Sequence, residues 1–61
     1  MDIDTDVKAE LLRRLARVEG QVRGIGNMLT EDRECRDVVT QIAAASKALE
    51  QVGFQIGRAH V

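Results

Sequence analysis

Residues 11–29, "LLRRLARVEGQVRGIGNML", decide the fold. Leu11, Leu15, Val18, Val22, Ile25 and Leu29 recur at spacings of 4, 3, 4, 3 and 4. Such alternation draws one apolar seam along a helix, because three and four residues each come close to a full turn. A second run, Val38, Ile42, Ala45, Leu49, Val52, Ile56 and Ala59, keeps the same alternation. Between the two lies the polar "TEDRE" of residues 30–34, where Thr30 and Asp32 can each cap a new helix. Upstream, "DIDTD" offers Asp4, Thr5 or Asp6 as a cap, and its acidic residues suit the positive end of a helix dipole. The pattern predicts one helix from about residue 6 to 29 and another from about 33 to 59. At 1.5 Å per residue each is about 35–40 Å long. Matched lengths and a short link predict an all-α, antiparallel two-helix hairpin, with residues 1–61 forming a single domain.

Composition agrees. The chain has no proline, tryptophan or tyrosine, and Phe54 is its one aromatic residue. Ala, Leu, Glu, Gln, Arg and Lys, all good helix formers, make up 30 of the 61 residues. A chain of 61 residues buries only about 60% of its unfolded surface and needs outside support. One cysteine excludes an internal disulfide framework. The longest uncharged stretch, Val38–Ser46, is far too short to span a bilayer. With no secretory signal pattern either, the sequence reads as cytoplasmic. Support therefore falls to further copies of the chain. Val39, Ala43 and Phe54 lie about 100–160° around the second helix from Val38, a second apolar flank that asks for a second neighbour. The expected assembly is a dimer forming a four-helix bundle, stacked into a tetramer as a dimer of dimers.

The net charge of −1 makes no argument for nucleic acid, but its distribution does. Residues 11–29 carry Arg13, Arg14, Arg17 and Arg23 against Glu19 alone. Arg13, Arg17, Gly20 and Gly24 fall on one face at spacings of 4, 3 and 4. Mid-helix glycines cost about 1 kcal/mol each against alanine. They are tolerated where something comes close, either another helix or a phosphate backbone beside the arginines.

Cys35 is the one thiol and His60 the one imidazole. A lone cysteine is commonly a small buried hydrophobe, and a histidine beside the last residue is commonly a solvated terminus. With Asp32 as cap, Cys35 falls at the third helical position, where Arg33 and Arg36 add positive charge and Glu34 and Asp37 offset it. Taking Val38 as zero, Cys35 lies at about +60° and His60 at about +40°, on one face of the second helix. They are separated along it by about 38 Å, so they can meet only between chains, where two copies of that helix pack antiparallel across a two-fold axis. A thiolate with an imidazole makes a ligand pair suited to Cu(I) or Zn(II).

"RRLARVEGQVRGI" (13–25) followed by "CRDVVTQIAAASKAL" (35–49) resembles the small all-helical bacterial repressors of the copper-sensing operon repressor (CsoR) type. Relatives within that family respond to nickel or cobalt, formaldehyde or reactive sulfur species. The resemblance runs from about Lys8 to Ile56. It implies a helical dimer assembling into a tetramer, which binds operator DNA without a helix-turn-helix and releases it when effector binds. Cys35 matches the family's sensing cysteine and His60 its histidine ligand across the subunit interface. Arg14 and Arg17 match basic positions implicated in DNA contact; charge and face add Arg13, Arg23 and Lys47. The sequence also departs from the family. Copper-sensing members carry a second cysteine four residues after the histidine, which falls at position 64, beyond Val61, and their short third helix is missing. The sequence is therefore either truncated or that of a degenerate member. Met1-Asp2-Ile3 lacks the proline linked to formaldehyde sensing and the early histidine linked to nickel sensing.

The resulting expectation is a DNA-binding transcriptional repressor, not an enzyme, responsive to a metal ion with Cu(I) favoured. Sensing of formaldehyde or reactive sulfur through Cys35 is the alternative. A plain helical interaction module explains the heptads, but not the arginines beside glycines or the placement of thiol and imidazole. A thiol enzyme would need a substrate pocket and oxyanion donors, which nothing in the sequence suggests.

Overall fold

The computed structural model describes residues 3–60, with side chains through residue 59. Helix α1 spans Thr5–Thr30 and helix α2 spans Cys35–His60. They pack antiparallel into a rod of 43 × 15 × 13 Å. No described helix is long and apolar enough to cross a membrane.

Local chemistry sets each helix end. The Asp4 carboxylate accepts from the Asp6 N–H at 3.1 Å, capping the first turn of α1. Ile3, just before that cap, folds back onto Leu11 and Val52 beside Val7 and Ile56. An apolar residue before an N-cap fixes the entry angle of the chain in this way.

The far end of α1 departs from the expected turn. Asp32 does not cap α2; it sits in the left-handed region with φ 58°. Its N–H reaches the Leu29 carbonyl at 3.3 Å, and the Arg33 N–H reaches the Met28 carbonyl at 3.0 Å. These two bonds form a Schellman closure of α1, with aspartate where glycine is commonest. Thr30 does not cap α2 either: its hydroxyl donates to the Gly26 carbonyl one turn back within α1. The carbonyl of Glu34 accepts from the Asp37 and Val38 N–H groups, so α2 starts two residues later than the pattern predicts. Cys35 is its first residue, not its third.

The apolar seams divide between two tasks. Leu11, Val18, Val38, Ala45 and Val52 are buried between the helices, every seventh residue of each run. The alternate row, Leu15, Val22, Leu29, Ile42 and Leu49, stays exposed, as do Leu12, Val39 and Phe54. Among the described residues no side chain is fully sealed from solvent, so one hairpin owns only a thin core.

Candidate metal and nucleic-acid sites

Helical geometry sorts the remaining side chains onto two sides of the rod. Counting 100° per residue from Leu11, the exposed Val22, Leu15 and Leu12 lie at about +20°, +40° and +100°. Arg14, Arg17 and Arg13 lie at about −60°, −120° and −160°. On α2, counted from Val38, Leu49, Ile42 and Val39 lie at about +20°, +40° and +100°, and Gln55, Gln51 and Arg58 at about −100°, −140° and −160°. In an antiparallel pair, flanks of equal sign share one side. One side therefore carries the exposed apolar rows of both helices, with Lys8, Glu19 and Arg23 of α1 at its margin, and the opposite side carries Arg13, Arg14, Arg17 and Arg58. A groove between the helices is lined by Val7 and Arg14 from α1 and by Glu50, Gln51, Phe54, Gln55, Arg58 and Ala59 from α2.

Cys35 is a free, exposed thiol at the start of α2, on the apolar side. His60 is the last residue of the same helix, and its side chain lies outside the described residues. A 26-residue helix keeps the two ends about 38 Å apart. Between them run Ile42 and Leu49, exposed on the same flank. Among the described residues, no cluster of three or more His, Cys, Asp or Glu side chains is placed to hold a metal. A thiol and an imidazole form a chemically suitable donor pair, and one chain cannot close it.

The arginines expected to meet DNA divide into two groups. Arg13, Arg14 and Arg17 line one hollow with Glu10, and Arg14 makes a 3.4 Å ion pair with Glu10. Arg23 is not with them. It lies about 180° around α1 from Arg14 and makes a 3.3 Å pair with Glu19 on an open surface. Lys47 is exposed on α2, about 180° from the buried Val38. Exposed i, i+4 pairs such as these contribute only about 0.3–0.5 kcal/mol, so the arginines are not strongly committed to them. A β-carbon built at Gly20 or Gly24 meets nothing within 4 Å. Packing within the hairpin therefore does not demand either glycine.

Sequence reasoning missed Arg58, whose guanidinium carbon lies over the Phe54 ring, 5.7 Å from its centroid. A signal was present: Lys47, Gln51, Phe54 and Arg58 recur at spacings of 4, 3 and 4. That stripe matches the Arg13–Gly24 stripe of α1 in period, but Phe54 disguised it as apolar flank.

The apolar heptads, the arginine face and the thiol that opens α2 define a class, and comparison with known proteins agrees. A profile described as metal-sensitive transcriptional repressor matches residues 7–61, and the chain belongs to that family. It is 47% identical over 57 residues to the copper-sensing transcriptional repressor RicR of Mycobacterium tuberculosis, covering 93% of this chain and 59% of that protein. It is 43% identical over 53 residues to the copper-sensing transcriptional repressor CsoR of Bacillus subtilis, covering 87% and 52%. The crystal structure of the copper-sensing repressor CsoR with Cu(I) from Geobacillus thermodenitrificans superposes with a TM-score of 0.91 at 38% identity. That match covers 98% of this chain and 62% of the other. The chain thus spans about half to three-fifths of the length of the relatives it matches.

Proposed function

We propose that the chain is the DNA-binding part of a cytoplasmic transcriptional repressor that pairs through its apolar side and senses a metal ion, Cu(I) favoured, between copies. The observation that carries this reading is the exposed Cys35 thiol at one end of a helix whose Ile42 and Leu49 are also exposed; counted at 100° per residue, position 60 at the other end falls on the same flank. Antiparallel pairing of two α2 helices sets Cys35 level with His60 of a second copy, twice over by symmetry. The same register sets Ile42 level with Gly53 and Leu49 level with Ser46, a large side chain opposite a small one at each step. A β-carbon at Gly53 meets nothing within 4 Å inside the hairpin, which suits a notch for a partner's side chain. Area supports pairing as well. The chain exposes 4974 Å², whereas a compact monomer of 6.8 kDa exposes about 4000 Å². The surplus of about 1000 Å² matches what interfaces with further copies cover, in a dimer or a dimer of dimers.

Cys35 and His60 would be the ligands, and Cu(I) would supply a soft centre that prefers thiolate and imidazole to water. A metal shared by Cys35 and the second copy's position 60 would favour one register of the two α2 helices and so one alignment of the arginine faces. A 100-fold loss of operator affinity corresponds to a coupling of about 2.7 kcal/mol. Arg13, Arg14 and Arg17 would hold phosphates, with Arg23 and Lys47 on flanking surfaces.

Complementation tests the shared site. Cys35→Ala and His60→Ala chains, each alone, are expected to bind Cu(I) weakly against a chelator competitor. Co-refolded and purified, their mixed dimers regain one intact site of two, so tight Cu(I) binding returns at half the wild-type stoichiometry in the isolated mixed dimer. Absence of recovery in a confirmed mixed dimer rules out a site shared between chains. The exposed Cys35 thiol supports a second reading, sensing of formaldehyde or reactive sulfur. In that case the Cys35→Ala chain loses its response to those compounds and the His60→Ala chain keeps it.

A further inference from the structure

From the groove on the basic side we infer that α2 is also a DNA-contacting element, with Arg58 a phosphate ligand held in position by Phe54. This rests on the repressor reading above. Three observations lead to it. Arg14 lines both the hollow with Arg13 and Arg17 and the groove with Arg58, so the two depressions adjoin through one side chain. Together they present four arginines against Glu10 and Glu50, a net positive strip formed by both helices. Charge complementarity selects a polyanion as its occupant.

The Arg58 guanidinium is also held rather than trailing. It lies 5.7 Å from the centroid of the Phe54 ring, within cation–π range. Phe54 itself is 68% exposed, so its ring adds little to the core of the hairpin. A guanidinium drawn towards a ring face is restricted in its rotamers, so less side-chain entropy is lost when a phosphate binds. Gln51 and Gln55, on the same wall, can donate amide N–H groups to neighbouring phosphate oxygens. Arg14, Gln51 and Gln55 lie on the side opposite the Ile42–Leu49 row, so antiparallel pairing through that row leaves their wall of the groove open.

The salt dependence of binding is the test. Each phosphate neutralised contributes about 0.9 to the slope of log K against log salt concentration. Fluorescence anisotropy would follow the chain on a labelled duplex taken from immediately upstream of its own gene, and on an unrelated duplex, across a salt series. Arg58→Gln is expected to weaken binding to both duplexes by roughly three- to tenfold and to lower the slope by about 0.9 for each Arg58 engaged. Arg58→Lys should keep most of the slope, because the charge remains. Phe54→Leu should weaken binding less than Arg58→Gln while leaving the slope in place. Arg33→Gln, in the turn at the other end of the rod, should change neither quantity. Circular dichroism and solution mass confirm that each variant folds and assembles. If Arg17→Gln loses affinity while Arg58→Gln matches wild type in affinity and slope, a role for α2 in DNA contact is overturned and the repressor reading stands. If the wild-type chain binds neither duplex at low salt, both fall together.

Discussion

Asp32 shows how one residue sets the join between the helices. Its φ of 58° places an L-residue in the left-handed region, where side chains other than those of Asn and Asp are strained by about 1–2 kcal/mol. Aspartate is tolerated there, but glycine fits without strain. Asp32→Gly is expected to raise stability by about 0.5–1 kcal/mol, and Asp32→Val to lower it by about 1–2 kcal/mol, measured by urea unfolding. An unchanged midpoint in both variants would mean that the turn does not limit stability. Asp32 was legible as a helix-boundary residue but assigned to the wrong helix, because aspartate serves both N-caps and left-handed C-terminal positions. Only the backbone path distinguishes the two. The consequence reaches Cys35, which opens α2 as its first residue and stands exposed there.

At the scale of the element, α1 carries glycines that its own hairpin does not require. At Gly20 a β-carbon would stand in open space, with nothing within 4 Å. Gly20→Ala is therefore expected to raise stability by about 0.8–1 kcal/mol through helix propensity alone, read from thermal or urea melting. A drop in stability instead would reveal a second helix packed against that face in the assembly. The α2 helix illustrates how far periodicity reaches. Its heptad run was readable from Val38 to Ala59, yet the buried members are Val38, Ala45 and Val52 while Ile42 and Leu49 face outward. Spacing shows that a seam exists. It does not show which half of the seam meets α1 and which half is left for another copy, because both rows have the same period and similar hydrophobicity. The Phe54–Arg58 pair was hidden for a related reason: an exposed aromatic that supports a guanidinium looks, in sequence, like core.

For the whole molecule, the exposed row of large apolar side chains sets the expected behaviour. Replacing Ile42 and Leu49 together by glutamate should give a chain of monomeric mass in light scattering. The double variant should also lose the dependence of its melting temperature on protein concentration, since a self-associating fold is stabilised by mass action. If the double variant keeps the wild-type mass, the apolar flank of α2 is not the surface of association. Spacing and charge along the chain already specify an all-α antiparallel hairpin, the arginine cluster of α1, and a thiol and an imidazole at one register of α2. Those features follow from local periodicity and charge, which the chain carries residue by residue. Tertiary structure alone decided that the two helices share one apolar side and one basic side. It also joined Arg58 to the groove of Arg14 and left Cys35 exposed at the start of α2. The physical reason is that facing direction depends on how two helices roll against each other, and burial of Leu11, Val18, Val38, Ala45 and Val52 fixes that roll.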